Sequence, residues 1–365
     1  MKILILKPSS LGDVVQAIPV LRLLKRHHPE SRIHWWIDSH LAPLLEVDPD
    51  LDGLILFDRR RWASPKHWGE AYRSLATIRQ HRFDLVLDLQ ALARSGVVAW
   101  LAGAGRVVGL DDRREGAPAW HDVSIARRGW ATHAVDWYLD AVRALGVPVR
   151  WDFDWLPARP DVRAGIRARW SVEGWRWVLL QPGARWDNKR WPAEHFGELV
   201  RTLSATGGPD LRFGVLGSPS ERPLADRICA VAPDRCENLA GQTSLPEMVE
   251  WLRSASLLVT NDSGPMHVAA ALGRPVIGLF GPTEPSRTGP YGQLREVLRF
   301  PLPCAPCLKD RCAFERPMEC LRAISPALVS QRVLARIEAA RTSGEGGREA
   351  SKRDWVLPDP QPELE

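Results

Sequence analysis

Short apolar runs alternate with segments whose apolar residues recur at helical spacing, and this alternation constrains the fold more than any other feature of the chain. In the first half, the apolar runs lie at 2–6, 32–37, 54–57, 84–89 and 106–110. Helical spacing marks 13–27, 67–81, 92–102 and a stretch near 132–145. Strands and helices that alternate in this way predict a parallel sheet with helices on both faces.

The same alternation begins again in the second half of the chain. Strand-like runs lie at 177–181, 211–216, 257–260 and 276–280, and helical patterns lie at 192–206, 221–232, 245–254 and 265–272. The simplest account is an α/β fold of two doubly wound, Rossmann-like domains in series. Because ligands of open α/β sheets collect beyond the carboxyl ends of the strands, we expect the domains to face each other across a cleft.

The domain boundaries are predicted from the segments that interrupt the alternation. The stretch VPVRWDFDWLPARPDV is rich in proline and tryptophan and has no period, which is typical of a connection. The predicted parts are an N-terminal domain over 1–155, a linker over 156–170 and a C-terminal domain over 171–325. A helix over 326–341 is expected to pack back on the first domain. The polar tail over 342–365 is expected to be disordered.

The composition is that of an ordinary globular protein, with 45% hydrophobic and 25% charged residues among 365. No apolar run approaches the roughly 20 residues of a spanning helix, and a strand-like run stands where a signal peptide would have its apolar segment. We therefore expect a soluble, cytoplasmic protein, and separately we expect it to be a monomer. The net charge is a modest +5, but arginines cluster at 58–62, 111–116 and 126–130. Such clusters suit phosphate groups, an anionic membrane surface or solvated loops.

The sequence KPSSLGD joins the first predicted strand to the first helix. Residues 7–12 form a loop at the carboxyl edge of the sheet, where Gly12 lets the backbone come close to a ligand. Asp13 falls in the first helical turn, where the helix dipole favours an ionised carboxylate. Such a carboxylate facing a cleft is a usable general base. Helix capping alone explains the same spacing.

A second loop of interest lies within VTNDSGPMHVAAALGRPVIGLFGPTEP, residues 259–285. A strand ends before Asn261, and a helix begins at about Pro265, a favoured first-turn position for proline. Backbone N–H groups at that helix start make an anion site suited to a diphosphate. His267 lies in the same turn and could donate to a phosphate, or it could be a core histidine on the buried helix face.

A third loop, QPGARWDNKRWP over 181–192, follows the first strand of the second domain. It brings three cations, Arg185, Lys189 and Arg190, to the carboxyl edge of the predicted sheet. Cations at this place could neutralise a leaving diphosphate. A basic surface loop that ends at a proline-led helix is the alternative.

Four of the six cysteines lie close together, at Cys304, Cys307, Cys312 and Cys320. Their spacing, C-x2-C-x4-C-x7-C, could hold zinc or an iron–sulfur cluster. The spacing lacks the paired knuckles of strong zinc motifs, so the sequence favours reduced structural thiols. No metal or other cofactor is therefore expected to be required.

Several common catalytic motifs do not occur in the sequence. There is no G-x-G-x-x-G after either leading strand, no G-x-x-x-x-G-K-[ST], no H-E-x-x-H and no G-x-S-x-G. Their absence weakens the interpretation of the chain as a dinucleotide oxidoreductase, a P-loop protein or an α/β-hydrolase.

Taken together, the motifs resemble those of the ADP-heptose:lipopolysaccharide heptosyltransferases of glycosyltransferase family 9, which have the two-domain GT-B fold. The resemblance rests on KPSSLGDVVQAIPVL, DRRRW, DLQALARSG, QPGARWDNKRWP and NDSGPMHVAAALGRPVIGLFGPTEP. These stretches occur in the family's order and span residues 2 to about 330. The resemblance implies inverting transfer of a heptose from ADP-heptose to the inner core of lipopolysaccharide.

The resemblance also implies roles for individual residues. Asp13 would be the catalytic base, and Lys7 would support the reacting groups. Lys189 would hold the donor diphosphate and Glu221 the ribose hydroxyls. The rest of the donor site would consist of Arg185, Asp262, Ser263, Gly264 and His267. The acceptor site would consist of Arg60, Arg61, Arg94, Ser10 and Gly12.

The implied partners are a nucleotide-sugar donor, the lipopolysaccharide inner core and, by peripheral contact, the cytoplasmic face of the inner membrane, with no nucleic acid. Two alternatives stay open. The first is a protein of the same fold that uses another nucleotide sugar or acceptor, including an epimerase. The second is a catalytically silent nucleotide-binding scaffold protein, against which the presence of Asp13, Lys189 and His267 argues.

Overall fold

The computed structural model describes residues 1–62 and 64–342, and within this part the strands form two six-stranded parallel sheets. The first sheet consists of β1 (Lys2–Leu6), β2 (Arg32–Asp38), β3 (Gly53–Phe57), β4 (Leu85–Asp88), β5 (Arg106–Leu110) and β6 (Val123–Ile125). Its helices are α1 (Leu11–His27), α2 (Arg59–Trp62), α3 (Trp68–His81), α4 (Ala93–Leu101) and α5 (Ala134–Arg143). The strand order β3-β2-β1-β4-β5-β6 makes this sheet doubly wound, with its switch point beside β1.

The second sheet repeats this plan. Before it comes α6 (Pro160–Arg169), and its strands are β7 (Arg176–Gln181), β8 (Leu211–Val215), β9 (Cys236–Asn238), β10 (Leu257–Asn261), β11 (Val276–Phe280) and β12 (Val297–Arg299). Its helices are α7 (Ala193–Thr206), α8 (Arg222–Cys229), α9 (Leu245–Ser254), α10 (Gly264–Ala271), α11 (Pro285–Thr288), α12 (Glu319–Arg322) and α13 (Pro326–Thr342). The order β12-β11-β10-β7-β8-β9 is the order of the first sheet read from the opposite edge. The predicted α/β class with two doubly wound sheets is confirmed.

The central strands are apolar without alternation because helices cover both of their faces. In β1, the side chains of Ile3 to Leu6 are fully buried. Three short strands, β6, β9 and β12, were not predicted. Each has three residues and lies at or next to a sheet edge, with sequences VSI, CEN and VLR that carry no continuous apolar run.

The chain divides into two compact units, and it crosses between them more than once. The first unit contains Met1–Val149 and Trp155–Arg159, and the second contains Arg150–Asp154 and the described chain from Pro160 onward. The segment predicted as a linker over 156–170 therefore contains α6, a helix of the second unit. Pro160 and Asp161 are favoured residues for the first turn of a helix. Ile166 is fully buried, so this mostly polar helix packs against its unit through that side chain.

The last helix, α13, belongs to the second unit and buries its apolar face in that unit's own core, while a contact with the first domain stays a prediction. Val329, Val333 and Ile337 follow one another at four-residue spacing and lie in the hydrophobic core of the second unit. The same core contains Leu199 and Leu203 of α7. The apolar stripe of α13 thus finds its partner on the nearest helix of its own unit.

Two further expectations concern membranes and the tail. No helix among the described residues is long and apolar enough to cross a membrane. The tail predicted to be disordered lies outside the described residues except for Thr342, which ends α13.

Candidate functional site

Asp13 lies at the carboxyl edge of the first sheet, in the first turn of α1. Its Oδ2 accepts hydrogen bonds from the Ser10 backbone N–H at 2.9 Å and from the Ser10 hydroxyl at 2.6 Å. Ser10 and Asp13 therefore form a capping box, which holds the carboxylate in one orientation. The capping role that the sequence allowed is present, and the role of Asp13 as a base stays a prediction.

Lys7 is buried beside this carboxylate, with only 4% of its surface exposed. Its Nζ donates to the Leu89 carbonyl at 2.9 Å and lies 4.9 Å from the centre of the Tyr138 ring. Burial alone would lower the pKa of Lys7, but Tyr138, Asp13 and Asp88 outweigh that cost and raise the pKa above its ordinary value. Lys7 is therefore a fixed positive charge in the first unit.

A buried aspartate, Asp88, organises the loop behind this lysine, and sequence reasoning missed it. Its Oδ1 accepts the backbone N–H groups of Gln90 and Ala91, both at 3.0 Å. Its Oδ2 accepts the Ser95 hydroxyl at 2.9 Å and lies 3.1 Å from His121 Nε2. The signal for Asp88 was its place at the end of a strand within DLQALARS. The network fixes the loop whose carbonyl holds the buried lysine.

The predicted acceptor arginine Arg61 lies at a broad open cavity of about 550 Å³ in the first unit. Its guanidinium donates to Glu70 at 2.6 Å and lies 3.3 Å from His67 Nδ1. Its backbone N–H donates to Asp58 Oδ1 at 3.0 Å, which orders the start of α2. Arg60 lies in the same helix, and its side chain is outside the described part of the structure.

Arg94, at the start of α4, lies close enough to Arg59 of α2 for the two charges to interact. Burial lowers the pKa of Arg94, and the neighbouring Arg59 charge lowers it further. Its guanidinium lies 5.8 Å from the centre of the Phe57 ring, and within the described residues its buried Nε has no hydrogen-bond partner. Basic side chains of α2 and α4 therefore lie close together. Of the other two predicted acceptor residues, Gly12 is buried in α1 and Ser10 is exposed.

In the second unit, Lys189 and Asp262 form a short ion pair. Lys189 Nζ lies 2.7 Å from Asp262 Oδ2, and the Thr283 hydroxyl donates to the same oxygen at 2.7 Å. Lys189 also lies 4.5 Å from the centre of the Trp186 ring. The three polar residues follow β7, β10 and β11, which are neighbours in the sheet, so their loops meet at its carboxyl edge.

The start of α10 lies beside this ion pair. Ser263 is the N-cap residue, but within the described residues it makes no capping hydrogen bond, and its hydroxyl lies 3.0 Å from Thr260 Oγ1. The helix begins at Gly264, and its first N–H groups therefore lack a side-chain cap, which leaves them for water or an anion. His267 is 9% exposed, so the alternative of a core histidine agrees with its burial.

Glu221 lies over the turn that follows β7. A side chain at Gly183 would place its Cβ 1.8 Å from Glu221 Oε1, so the close approach of this carboxylate requires glycine. Glu221 Oε2 accepts the Ser218 backbone N–H at 2.7 Å and the Ser218 hydroxyl at 3.0 Å, a second capping box. Arg185 is exposed in the loop after the same turn.

Asn261, which sequence reasoning quoted without giving it a role, joins the loops of this region. Its Nδ2 donates to the Pro182 carbonyl at 2.7 Å, and its Oδ1 accepts the Trp191 backbone N–H at 3.0 Å. The residue is fully buried at the end of β10. The position of the Lys189 loop therefore depends on a buried amide that has both of its polar atoms satisfied.

The four clustered cysteines line one small cavity of about 20 Å³ in the second unit. Burial, together with the neighbouring thiols of Cys312, Cys304 and Cys307, raises the pKa of the Cys320 thiol to about 11. As the side chains lie, the described residues contain no group of three or more His, Cys, Asp or Glu arranged to hold a metal. The remaining cysteines, Cys229 and Cys236, form a separate buried pair with their sulfurs 3.0 Å apart.

Comparison with known proteins matches the chain along most of its length. The family model for glycosyltransferase family 9 (heptosyltransferase) matches residues 72–317. Lipopolysaccharide heptosyltransferase 1 of Pseudomonas aeruginosa is 30% identical over 336 residues, which cover 86% of this chain and 88% of the relative. The structure of E. coli ADP-heptose lipopolysaccharide heptosyltransferase II matches with a TM-score of 0.72 and 26% identity, covering 95% of this chain and 100% of that one. The E. coli heptosyltransferase WaaC with ADP matches with a TM-score of 0.74 and 25% identity, covering 92% and 100%.

These matches place the doubly wound pair of sheets in the GT-B class of glycosyltransferases. The chain belongs to glycosyltransferase family 9, the heptosyltransferases. The family resemblance stated from the sequence motifs is therefore confirmed.

Proposed function

We propose that this protein transfers a heptose from ADP-heptose to the inner core of lipopolysaccharide, with inversion at the anomeric carbon. The relatives' names support the reaction, and one of the matched structures is described as carrying ADP. The observation that carries the proposal most directly is the Lys189–Asp262 pair beside the uncapped start of α10. A diphosphate needs both a cation and backbone N–H donors, and this edge of the second sheet offers both.

On the donor side, each predicted residue has a task in this scheme. Lys189 and the N–H groups from Gly264 onward bind the diphosphate and stabilise the charge that develops as ADP leaves. Asp262 holds the lysine in place. Glu221 accepts the ribose hydroxyls, with Arg185 and His267 nearer the phosphates.

On the acceptor side, Asp13 takes the proton of the attacking hydroxyl as its oxygen forms a bond to the anomeric carbon. The bond between that carbon and the ADP oxygen breaks at the same time, and ADP departs with the electron pair. Lys7 stabilises negative charge near the reacting groups. The scheme requires no metal, because Lys189 and the helix start supply the positive charge.

The arginines Arg60, Arg61 and Arg94, with Ser10 and Gly12, would bind the phosphorylated acceptor. Because that acceptor is linked to a lipid, the protein would act in the cytoplasm by peripheral contact with the inner membrane. The exposed aromatic side chains of Trp68 and Tyr72 on α3, 62% and 73% exposed, support such contact.

A donor panel tests the function. Purified protein is supplied with ADP-heptose, ADP-glucose, UDP-sugars and the heptose-free lipopolysaccharide core, and product is followed by mass spectrometry. Heptosylated core formed only from ADP-heptose, and only when acceptor is present, is the expected result. Transfer from another donor would identify a different transferase, conversion without acceptor an epimerase, and nucleotide binding without turnover a silent binding protein.

A further inference from the structure

The segment between β12 and α12 is the feature that the proposed reaction leaves unexplained. From residue 300 to residue 318 the described chain forms no helix or strand. Three of the four clustered cysteines lie in this segment, and the fourth, Cys320, lies in the short helix that follows. An irregular segment of this length has few backbone hydrogen bonds of its own and gains stability from a cross-link or an ion.

All four thiols line the same cavity, although up to 16 residues separate them along the chain, by subtraction of 304 from 320. The cavity, about 20 Å³, has room for one particle of water size and none for an iron–sulfur cluster. Cys320 is buried, Cys307 and Cys312 are half-buried, and Cys304 is the most exposed. The Cys312 sulfur already accepts a hydrogen bond from the Met318 backbone N–H at 3.3 Å.

Asn188, a residue of another loop, also lines this cavity. Asn188 is 6% exposed, and its Nδ2 donates to the Lys309 carbonyl at 2.8 Å. Its Oδ1 is buried and has no hydrogen-bond partner within the described residues. The Asn188 amide therefore ties the loop that carries Lys189 to the cysteine segment.

We propose that Cys304, Cys307, Cys312 and Cys320 bind one thiophilic divalent cation, such as Zn²⁺, in this cavity as a structural site. In the structure the thiols line the cavity without the close arrangement of a metal centre. Neutral thiols pack as small apolar groups, and cysteines draw together when the ion replaces their protons. Binding releases those protons, so no redox step is involved.

The site would brace the donor-side loops of the second unit. Leu308 N–H donates to the Pro282 carbonyl at 2.8 Å, next to Thr283, and Asn188 precedes Lys189. A Cβ at Gly281 would lie 2.9 Å from Cys320 Sγ. The short helix α12, which carries Cys320, therefore contacts the turn that contains Gly281 and Pro282. The cavity therefore adjoins two of the loops that carry the Lys189–Asp262–Thr283 contacts.

Cobalt titration of the reduced, full-length protein tests the site. Co²⁺ bound by thiolates gives intense charge-transfer absorption, and addition of Zn²⁺ abolishes it by displacement. We expect one Co²⁺ per chain in the wild type, loss of the absorption in the Cys304→Ser/Cys307→Ser variant, and the full absorption in Cys229→Ala, a variant of the separate pair. A second variant, Cys312→Ser, is expected to shift the spectrum by removing one thiolate while leaving circular dichroism unchanged.

Absence of thiolate–cobalt absorption in the wild type would overturn the proposal, as would absorption that survives in the Cys304→Ser/Cys307→Ser variant. Disulfide formation without metal uptake would overturn it too. The bracing of the donor loops rests on the proposed function, and we expect ADP binding to weaken severalfold when the ion is removed with a chelator. Cobalt binding without ADP binding would contradict the donor assignment alone, and ADP binding without cobalt binding would contradict the metal site alone.

Discussion

Each unit holds a lysine and an aspartate at the carboxyl edge of its sheet, but the two units arrange them in opposite ways. In the second unit, Lys189 and Asp262 are in direct contact at 2.7 Å. In the first unit, Asp13 is bonded to Ser10, while the Lys7 Nζ donates to a backbone carbonyl. In the second unit the carboxylate holds the lysine in place, whereas in the first unit the N–H and hydroxyl of Ser10 orient the carboxylate. Under the proposed function, the first unit would supply the base and the second would bind the donor phosphates.

The largest effect is expected from Asp13→Asn. The amide keeps the shape of the side chain but cannot take a proton, so we expect kcat to fall about a thousandfold, with ADP affinity nearly unchanged. Steady-state kinetics and calorimetric titration with ADP measure the two quantities. Glu247→Gln is the matched control, because Glu247 accepts the N–H and hydroxyl of Ser244 in the same kind of capping box on α9. It is expected to cost only about 0.5–2 kcal/mol of stability.

Full activity in Asp13→Asn would assign this carboxylate to capping alone and remove the contrast between the units.

The second prediction concerns Lys189→Met. Loss of the cation is expected to weaken ADP binding by about tenfold to a hundredfold, or about 1.4–2.7 kcal/mol. It also leaves Asp262, 9% exposed, without its counter-charge, so the free energy of unfolding in urea should fall. The double variant Lys189→Met/Asp262→Asn is expected to recover stability but not ADP affinity.

Recovery of ADP affinity in that double variant would show that Lys189 acts only as the partner of Asp262. Lys66→Met, at an exposed lysine of the first unit, controls for the loss of one positive charge.

A third prediction concerns Gly183→Ala. The new Cβ would overlap the Glu221 carboxylate, which must swing away and lose its bonds to Ser218. We expect a loss of about 0.5–2 kcal/mol in unfolding free energy, together with weaker ADP binding if Glu221 holds the ribose. The matched control is Gly165→Ala in α6, where a Cβ meets nothing within 4 Å. There alanine should stabilise by about 0.5–1 kcal/mol. Unchanged ADP affinity in Gly183→Ala would remove Glu221 from the donor site.

The smallest effect is a pH dependence set by Lys7. Its pKa is raised in the folded protein above the ordinary 10.5, so the charged lysine stabilises the fold at all pH values below 10.5. That contribution is lost only as the pH rises through the folded pKa. Urea unfolding of the wild type and of Lys7→Met should therefore differ by a constant amount between about pH 7 and pH 9 and converge above 10.5. A difference that changes near neutral pH would contradict a charged Lys7.

The sequence was sufficient to predict most strands and helices and the α/β class of the fold, because apolar periodicity is a local property of the chain. KILIL and WVLLQ are recognisable as strands without any partner. The pairing of Lys189 with Asp262 could not be predicted, because 73 residues separate them and no local pattern links the two positions. The Asp88–His121 contact has the same difficulty, since it depends on where the chain after β5 returns.

The position of α13 shows a different limit. The spacing of its apolar residues predicted a helix with one buried face. The same spacing does not indicate which surface of the protein that face covers. The choice is made by the facing residues Leu199 and Leu203, which lie more than 120 positions earlier, by subtraction of 203 from 329. Periodicity predicts that one face of a helix is buried, and tertiary packing determines which surface that face packs against.

The crossing of the chain between its units has a practical consequence for dissecting the protein. Arg22 of α1 binds Asp48 and Asp50 and also donates to the Trp155 carbonyl, while Arg159 donates to the carbonyls of Pro43 and Leu44. A fragment that stops at Val149 would lose the contact of Arg22 with the Trp155 carbonyl and both contacts of Arg159. One that continues to Arg159 would include five residues of the other unit. No single chain break separates the two units, because residues 150–154 belong to the second unit and 155–159 to the first. Recombining domains between relatives therefore requires exchanging residues 150–159 as one segment.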